Sequence, residues 1–326
     1  MNEVILLIVA AITYGTPLLF GTLGEILTEK SGNLNLGVEG IMFMGGAFGL
    51  GGVFYYEKLA SNPNGLVAIA IGILCAMLAG AFASLIFSFI TITLRANQNV
   101  TGLALAIFGT GVGQFVGEFM RVREGGYVAV GNALKGYFIA SPFPQFLQDI
   151  PYVGKLIFGH SFFFYLAVLL AVGMYLYLNK TRSGLHLRSV GESPATADAV
   201  GINVSRSRYL ATVLGGAISA IGGMVYITTI SGCVWNHEGL SGVGWLAVAL
   251  VIFCTWRPLS AIWGSVLFGA LMILYLRLSL SFIPTQLYKI LPYLVTVIVL
   301  VVSSLRNNRE KQPPEALGSS YFREER

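Results

Sequence analysis

Long stretches without charge decide what this chain can become. Residues 65–94, GLVAIAIGILCAMLAGAFASLIFSFITITL, contain no ionisable acid or base. About 20 such residues suffice to cross a bilayer as a helix. Several other runs reach that length, separated by polar breaks. Only 11% of the 326 residues are charged and 55% are hydrophobic. A soluble domain carries roughly 25% charged residues, so the chain is read as a polytopic membrane protein. The spans must be helices, because lipid offers backbone groups no partner and nothing alternates as barrel strands do.

The pattern predicts an all-α bundle of about nine transmembrane helices, with eight to ten possible. The spans are 3–23, 34–56, 65–94, 100–118, 161–179, 209–230, 244–256, 260–280 and 285–305. Residues 1–305 form one transmembrane domain and 306–326 a polar tail, expected to be disordered. Residues 119–160, with prolines at 142, 144 and 151, read as an external loop with an interfacial or re-entrant piece. Span seven is short and follows the glycine-rich EGLSGVG. That is a pointer to a discontinuous helix lining a pathway, or equally to a plain loop before a helix.

The net charge is +5. In such a protein, excess cations mark cytoplasmic loops rather than nucleic-acid binding. Placing the N-terminus outside puts most cations inside, among them Lys180, Arg182, Arg188, Arg206 and Arg208. The loop 180–208 and the C-terminal tail are then cytoplasmic. The N-terminus MNEVILL lacks a basic leader region, so the first apolar run is expected to be retained.

Polar groups inside the spans are the candidates for function. Glu39, read several residues into span two beside Asn35, is an expensive intramembrane carboxylate. It lines a route or pairs with a neighbouring helix. Asn97, Gln98, Asn99 and Thr101 cluster where span three turns into span four, as a helix cap or as pathway. Trp235, Asn236, His237 and Glu238 lie at the outer mouth before span seven, as interfacial residues or an outer gate. Gly109, Gly113 and Gly117, and Gly45 with Gly49, recur every four residues, a stripe that allows helices to approach closely. Cys75, Cys233 and Cys254 lack metal-ligand spacing. There is no G-x-x-x-x-G-K-S/T phosphate loop, no H-E-x-x-H and no G-x-S-x-G. No catalytic residue, metal site or resident cofactor is expected, and any driving energy must enter through a partner.

The segment GLHLRSVGESPATADAVGINVSRSR (184–208) offers that partner something to hold. Ser193 and Pro194 match an N-cap followed by proline at the first helical position. Ala195, Ala197, Ala199 and Val200 support a short helix, and Gly201 can end it. The segment resembles the cytoplasmic coupling segment of ABC importer permeases of the branched-chain amino acid, ribose and nucleoside superfamily, R-x-V-G-x-N-P-x-A-A-x-x-x-G-I. It keeps Arg188, Val190, Gly191, Pro194, Ala195, Ala197, Gly201 and Ile202, with Ser193 and Thr196 as departures. LTEKSGNLNLGVEGIMFMGG resembles the same group's second span. FLQDIPYVGKLIFGHSFFFYL and GWLAVALVIFCTWRPLSAIWGSVLFGA resemble its nucleoside branch.

The resemblance implies a permease subunit of the bacterial inner membrane. Its partners would be a cytoplasmic ATPase consuming ATP and Mg, a second permease subunit and an external substrate-binding lipoprotein. It implies coupling through Arg188, Gly191, Glu192, Pro194, Ala195, Ala199 and Gly201. The pathway candidates are Asn35, Glu39, Asn97, Asn99, Trp235 and Asn236. The alternative cargo is a simple sugar; an ion-coupled secondary transporter is the alternative mechanism.

Overall fold

A computed structural model describes residues 3–151, 153–277, 290–291, 293–298, 301 and 312–323. Within them, besides helical residues at 290–291, 293–298 and 301, thirteen α-helices are delimited and no strand is named. These are α1 (Glu3–Glu29), α2 (Val38–Leu59), α3 (Gly65–Ser88), α4 (Gln98–Arg123), α5 (Asn132–Ile139), α6 (Gln145–Gln148), α7 (Val153–Phe158), α8 (Phe162–Lys180), α9 (Arg182–Glu192), α10 (Pro194–Ala199), α11 (Val204–Val225), α12 (Val243–Phe253) and α13 (Pro258–Arg277). Six of these are long and apolar enough to cross a membrane: α1, α2, α3, α4, α8 and α11. α12 and α13 are shorter apolar helices. The ninth expected span, 285–305, falls largely outside the described residues.

The most and the least hydropathic spans differ in burial. α3 is the most hydropathic span, yet only 39% of its apolar window is buried; α2 is the least hydropathic, and 83% of its window is buried. Lipid demands apolar side chains on an outer helix, whereas a central helix needs small residues that let its neighbours close in. The glycine stripe does this. Gly109 meets Gly40, Gly113 meets the Phe43 backbone and Gly117 lies under the Trp235 ring, so α4 lies along α2. Gly45 meets Ala220 and Gly223 meets Met42, which brings α11 against α2.

α3 and α11 each end in one five-residue π turn, Phe89–Thr93 (FITIT) and Tyr226–Ile230 (YITTI). Threonine hydroxyls bond back along the helix there, Thr91 to the Phe87 carbonyl and Thr228 to that of Met224. Such back-bonding competes with the regular ladder and favours a widened turn.

Four readings of the sequence are corrected. Span one does not stop at 23: α1 continues to Glu29, drawing Glu25 and Glu29 into the bundle. Asn35 lies in the loop before α2 rather than on it. The loop 180–208 is not one short helix between spans, because α9 precedes α10 and α11 starts at Val204. α9 buries Gly184, Leu187, Val190 and Gly191, a helical spacing of three and four that its polar residues hide. The tail is ordered over 312–323. Ala316 and Gly318 donate to the carbonyls of Gly191 and Gly32 at 3.0 and 3.1 Å. Its prolines and charges read as disorder, but backbone bonds do not depend on side-chain polarity.

Residues 119–160 contain α5, α6 and α7. Leu134 and Phe138 are buried, and Phe138 stacks on Phe163 at the start of α8. The described cations fall at both ends of the bundle. Lys30, Arg188 and Arg257 border one cleft; at the same end Arg208 and Arg95 meet the tail, and the tail's Arg323 reaches Asp198. Lys58, paired with Glu124, belongs to the opposite end.

Candidate functional site

At the basic end, local chemistry builds α10. The Ser193 Oγ accepts from the Thr196 N–H at 3.4 Å, and Pro194 stands at the first helical position, where no N–H is needed. Gly201 takes φ +89 after the helix, a left-handed conformation that glycine adopts without a Cβ penalty. Ala197 is buried with Val190 and Val204. The opposite face is open: Ala195, Thr196 and Ala199 are exposed, and Val200 is 72% exposed. It is a flat face of small and apolar groups.

The anticipated coupling residues therefore divide. Glu192, Ala195, Ala199 and Gly201 are exposed, while Arg188 and Pro194 are half-buried. Gly191 is buried, and any Cβ on it would overlap the Lys30 carbonyl. It supports the surface from beneath and does not face outward. Beside α10 opens a cleft of about 1760 Å³ bordered by Lys30, Arg188, Glu192, Thr196 and Arg257. Burial pushes the Lys30 ammonium below its ordinary value, while Glu192 pulls it the other way.

Inside the bundle the anticipated pathway residues do not converge. Asn97 caps α4, its side chain accepting from the Val100 N–H at 3.1 Å. Asn99 is exposed beside it. Asn35 folds its Oδ1 back onto the Gly37 N–H. Trp235 is buried against Gly117 of α4, and Asn236 is exposed.

Glu39 is the exception, because it organises a helix end. Its Oε1 accepts from the Gly242 N–H at 2.7 Å, and its Oε2 from Gly244 at 2.7 Å and Trp245 at 3.2 Å. Those are orphan donors of the α12 N-terminus, where the dipole also favours an anion. Gly242 has φ +86, and a Cβ on Gly244 would overlap the Glu39 backbone. The glycines of EGLSGVG thus let a carboxylate and a helix end meet inside the protein. With 11 residues, α12 is roughly 16 Å long, about half of a bilayer core of ~30 Å.

The other end of α12 is pinned by residues the sequence reading passed over. After it, Thr255 and Trp256 both take left-handed backbone conformations. The Trp256 Nε1–H donates to Glu29 of α1. Glu25, one turn earlier, accepts from the Asn35 N–H at 3.1 Å. Glu25 and Glu29 are 1% and 2% exposed. The signal was two acids four apart at the end of an apolar run, missed because that run was ended at 23. The short helix is therefore held between α2 and α1 by one carboxylate at each end.

Residues 7–300 match the family described as branched-chain amino acid transport system, permease component. The chain is 33% identical to a putative glucose ABC transporter permease protein, TsgC13, of Haloferax volcanii, over 97% of both chains. It is 33% identical to the guanosine ABC transporter permease protein NupQ of Bacillus subtilis, over 90% of this chain and 91% of that one. It is 31% identical to the nucleoside ABC transporter permease protein NupC of Lactococcus lactis, over 93% of both.

Proposed function

The chain belongs to the branched-chain amino acid transport system permease family and is an ABC transporter permease component; from that premise we propose that it imports nucleosides, driven by ATP hydrolysed in a separate cytoplasmic subunit. The observation that carries the coupling half of this reading is α10. It is a capped helix with a buried side on Ala197 and an exposed side of Ala195, Thr196, Ala199 and Val200. A six-residue helix is marginal alone. Here it is fixed to the bundle, with a face small enough for close contact by a second protein.

The basic end is then cytoplasmic, in line with the cation excess there. ATP closure of the partner pushes α10. The bundle rocks and opens a route from an external binding lipoprotein, and hydrolysis resets it. A second permease subunit completes the route, which fits the failure of Asn35, Asn97, Asn99, Trp235 and Asn236 to gather within one chain. Glu39 serves that route by holding the half-helix α12. Nucleoside cargo rests on the similarity to the guanosine and nucleoside permeases. A simple sugar is the second reading, favoured by equal identity to the glucose relative.

The test is uptake of labelled guanosine and labelled glucose by the reconstituted transporter, with Ala199→Arg as the probe of coupling. The variant should fold as the wild type does but lose ATPase co-purification and uptake together. Normal uptake in Ala199→Arg would remove α10 from the coupling path. Glucose uptake without guanosine uptake would replace the cargo.

A further inference from the structure

Residues 312–323 do more than end the chain. Pro313 and Pro314 lack an N–H and are restricted in φ, so this stretch loses little freedom when ordered. Beyond them the segment bonds to six parts of the protein. Glu315 N–H donates to Glu192 at 3.4 Å, and Ala316 N–H to the Gly191 carbonyl at the end of α9. Gly318 N–H reaches Gly32 in the α1–α2 loop. The Ser319 carbonyl accepts from Arg208 of α11 at 3.0 Å and from Gln98 of α4 at 3.3 Å. Arg95, just past α3, stacks over the Phe322 ring at 4.7 Å. The Tyr321 hydroxyl donates to Asp198 of α10 at 2.8 Å, and Arg323 lies 3.4 Å from the same carboxylate oxygen.

Two of these contacts reach groups that need them. Arg208 is 2% exposed, and a buried guanidinium with too few acceptors is costly; the Ser319 carbonyl supplies one. Asp198 lies in the last turn of α10, the end where the helix dipole disfavours a negative charge. Tyr321 and Arg323 offset that. The Tyr321 ring also packs on Val190, Ala197 and Val204, the same small cluster that seats α10.

We propose that segment 312–323 is a strap that ties the coupling helix α10 to α3, α4, α11 and the α1–α2 loop, with Tyr321 and Asp198 as its positioning pair. This rests on α10 being the coupling helix. A push on α10 is then delivered to three helices and the α1–α2 loop at once, instead of being absorbed by the links on either side of Pro194–Ala199. The strap positions the helix and leaves its exposed Ala195, Thr196, Ala199 and Val200 face free for the ATPase.

The experiment uses the full transporter, reconstituted with its ATPase and binding protein, carrying Tyr321→Phe, Asp198→Ala, both together, or a deletion of 312–326. Hydrogen exchange is followed alongside uptake per ATP hydrolysed. In the wild type the Ala316 and Gly318 amides should be protected. In Tyr321→Phe, amides of 194–201 should exchange about tenfold faster, as expected for loss of one charge-assisted bond, with the middles of α2 and α11 unchanged. The ATPase should still co-purify and hydrolyse ATP, while uptake per ATP falls several-fold. The double variant should be no worse than the worse single one, because both remove the same link. If the deletion does not accumulate, Tyr321→Phe decides. Wild-type uptake per ATP in Tyr321→Phe and Asp198→Ala overturns the strap, as does exchange of Ala316 and Gly318 at free-peptide rates in the wild type. A wild-type complex without ATP-driven uptake refutes the coupling function instead, and the exchange data then still show whether the strap holds α10.

Discussion

Glutamine at position 39 is the sharpest probe of how α12 is held. The wild-type carboxylate receives three N–H groups, at 2.7, 2.7 and 3.2 Å. Glutamine keeps the shape but has one acceptor oxygen. Placed where Oε2 stands, it retains the bonds from Gly244 and Trp245 and turns an NH2 donor toward the Gly242 N–H. The variant loses one charge-assisted bond, worth ~1.5–3 kcal/mol. It also loses the anion at the helix N-terminus, worth ~0.5–2 kcal/mol in a partly buried setting. A total of about 3 kcal/mol would lower the melting temperature by roughly 6–12 °C at the ~2–4 °C per kcal/mol of domains somewhat smaller than this one. Alanine, which leaves all three donors bare, should cost more. The assay is tryptophan fluorescence of the purified protein in detergent on heating, in the order wild type, Glu39→Gln, Glu39→Ala. If glutamine melts with the wild type, or alanine melts above glutamine, Glu39 does not cap α12. Normal uptake by Glu39→Gln below its melting point would show that the negative charge is not required by the cargo.

Three further outcomes follow from particular contacts. Gly191→Ala should destabilise by ~1–3 kcal/mol through overpacking against the Lys30 carbonyl, seen as a lower melting temperature before any defect in ATPase binding. Trp256→Phe removes the donor to Glu29 and leaves that buried carboxylate short of a partner, a loss of ~1–3 kcal/mol measurable in the same melt. His160, 3% exposed, bonds through Nε2 to the Leu156 carbonyl at 2.9 Å, and burial holds its pKa below the ordinary value. The unfolded chain therefore takes up the proton first: stability is full above about pH 6.5 and declines as pH falls toward the folded pKa. His160→Gln should flatten melting temperature against pH in that window, and an unchanged slope would contradict the neutral assignment.

What could be read in advance follows from what each signal depends on. The spans and the cap of α10 depend on near neighbours along the chain: uncharged runs of sufficient length, and Ser193-Pro194 before three alanines. The end of α1 misled because two acids look like a helix stop. Only packing shows that Glu25 and Glu29 find the Asn35 amide and the Trp256 indole inside. The tail misled for the complementary reason. Its polar composition argues against a core of its own, but the Gly191, Gly32 and Arg208 groups it satisfies lie more than a hundred residues away in sequence.

By itself, then, the sequence determined that this chain is a helical membrane protein with a small capped helix among its cations, because hydropathy and capping are local and lipid leaves no other backbone solution. Tertiary structure alone decided that Glu39 caps the N-terminus of α12, that Gly191 faces inward, and that residues 312–323 cross the basic end. Each of those turns on whether a polar group meets a partner from a distant segment, and the free energy of a buried charge or amide is set by that meeting rather than by its neighbours in the chain.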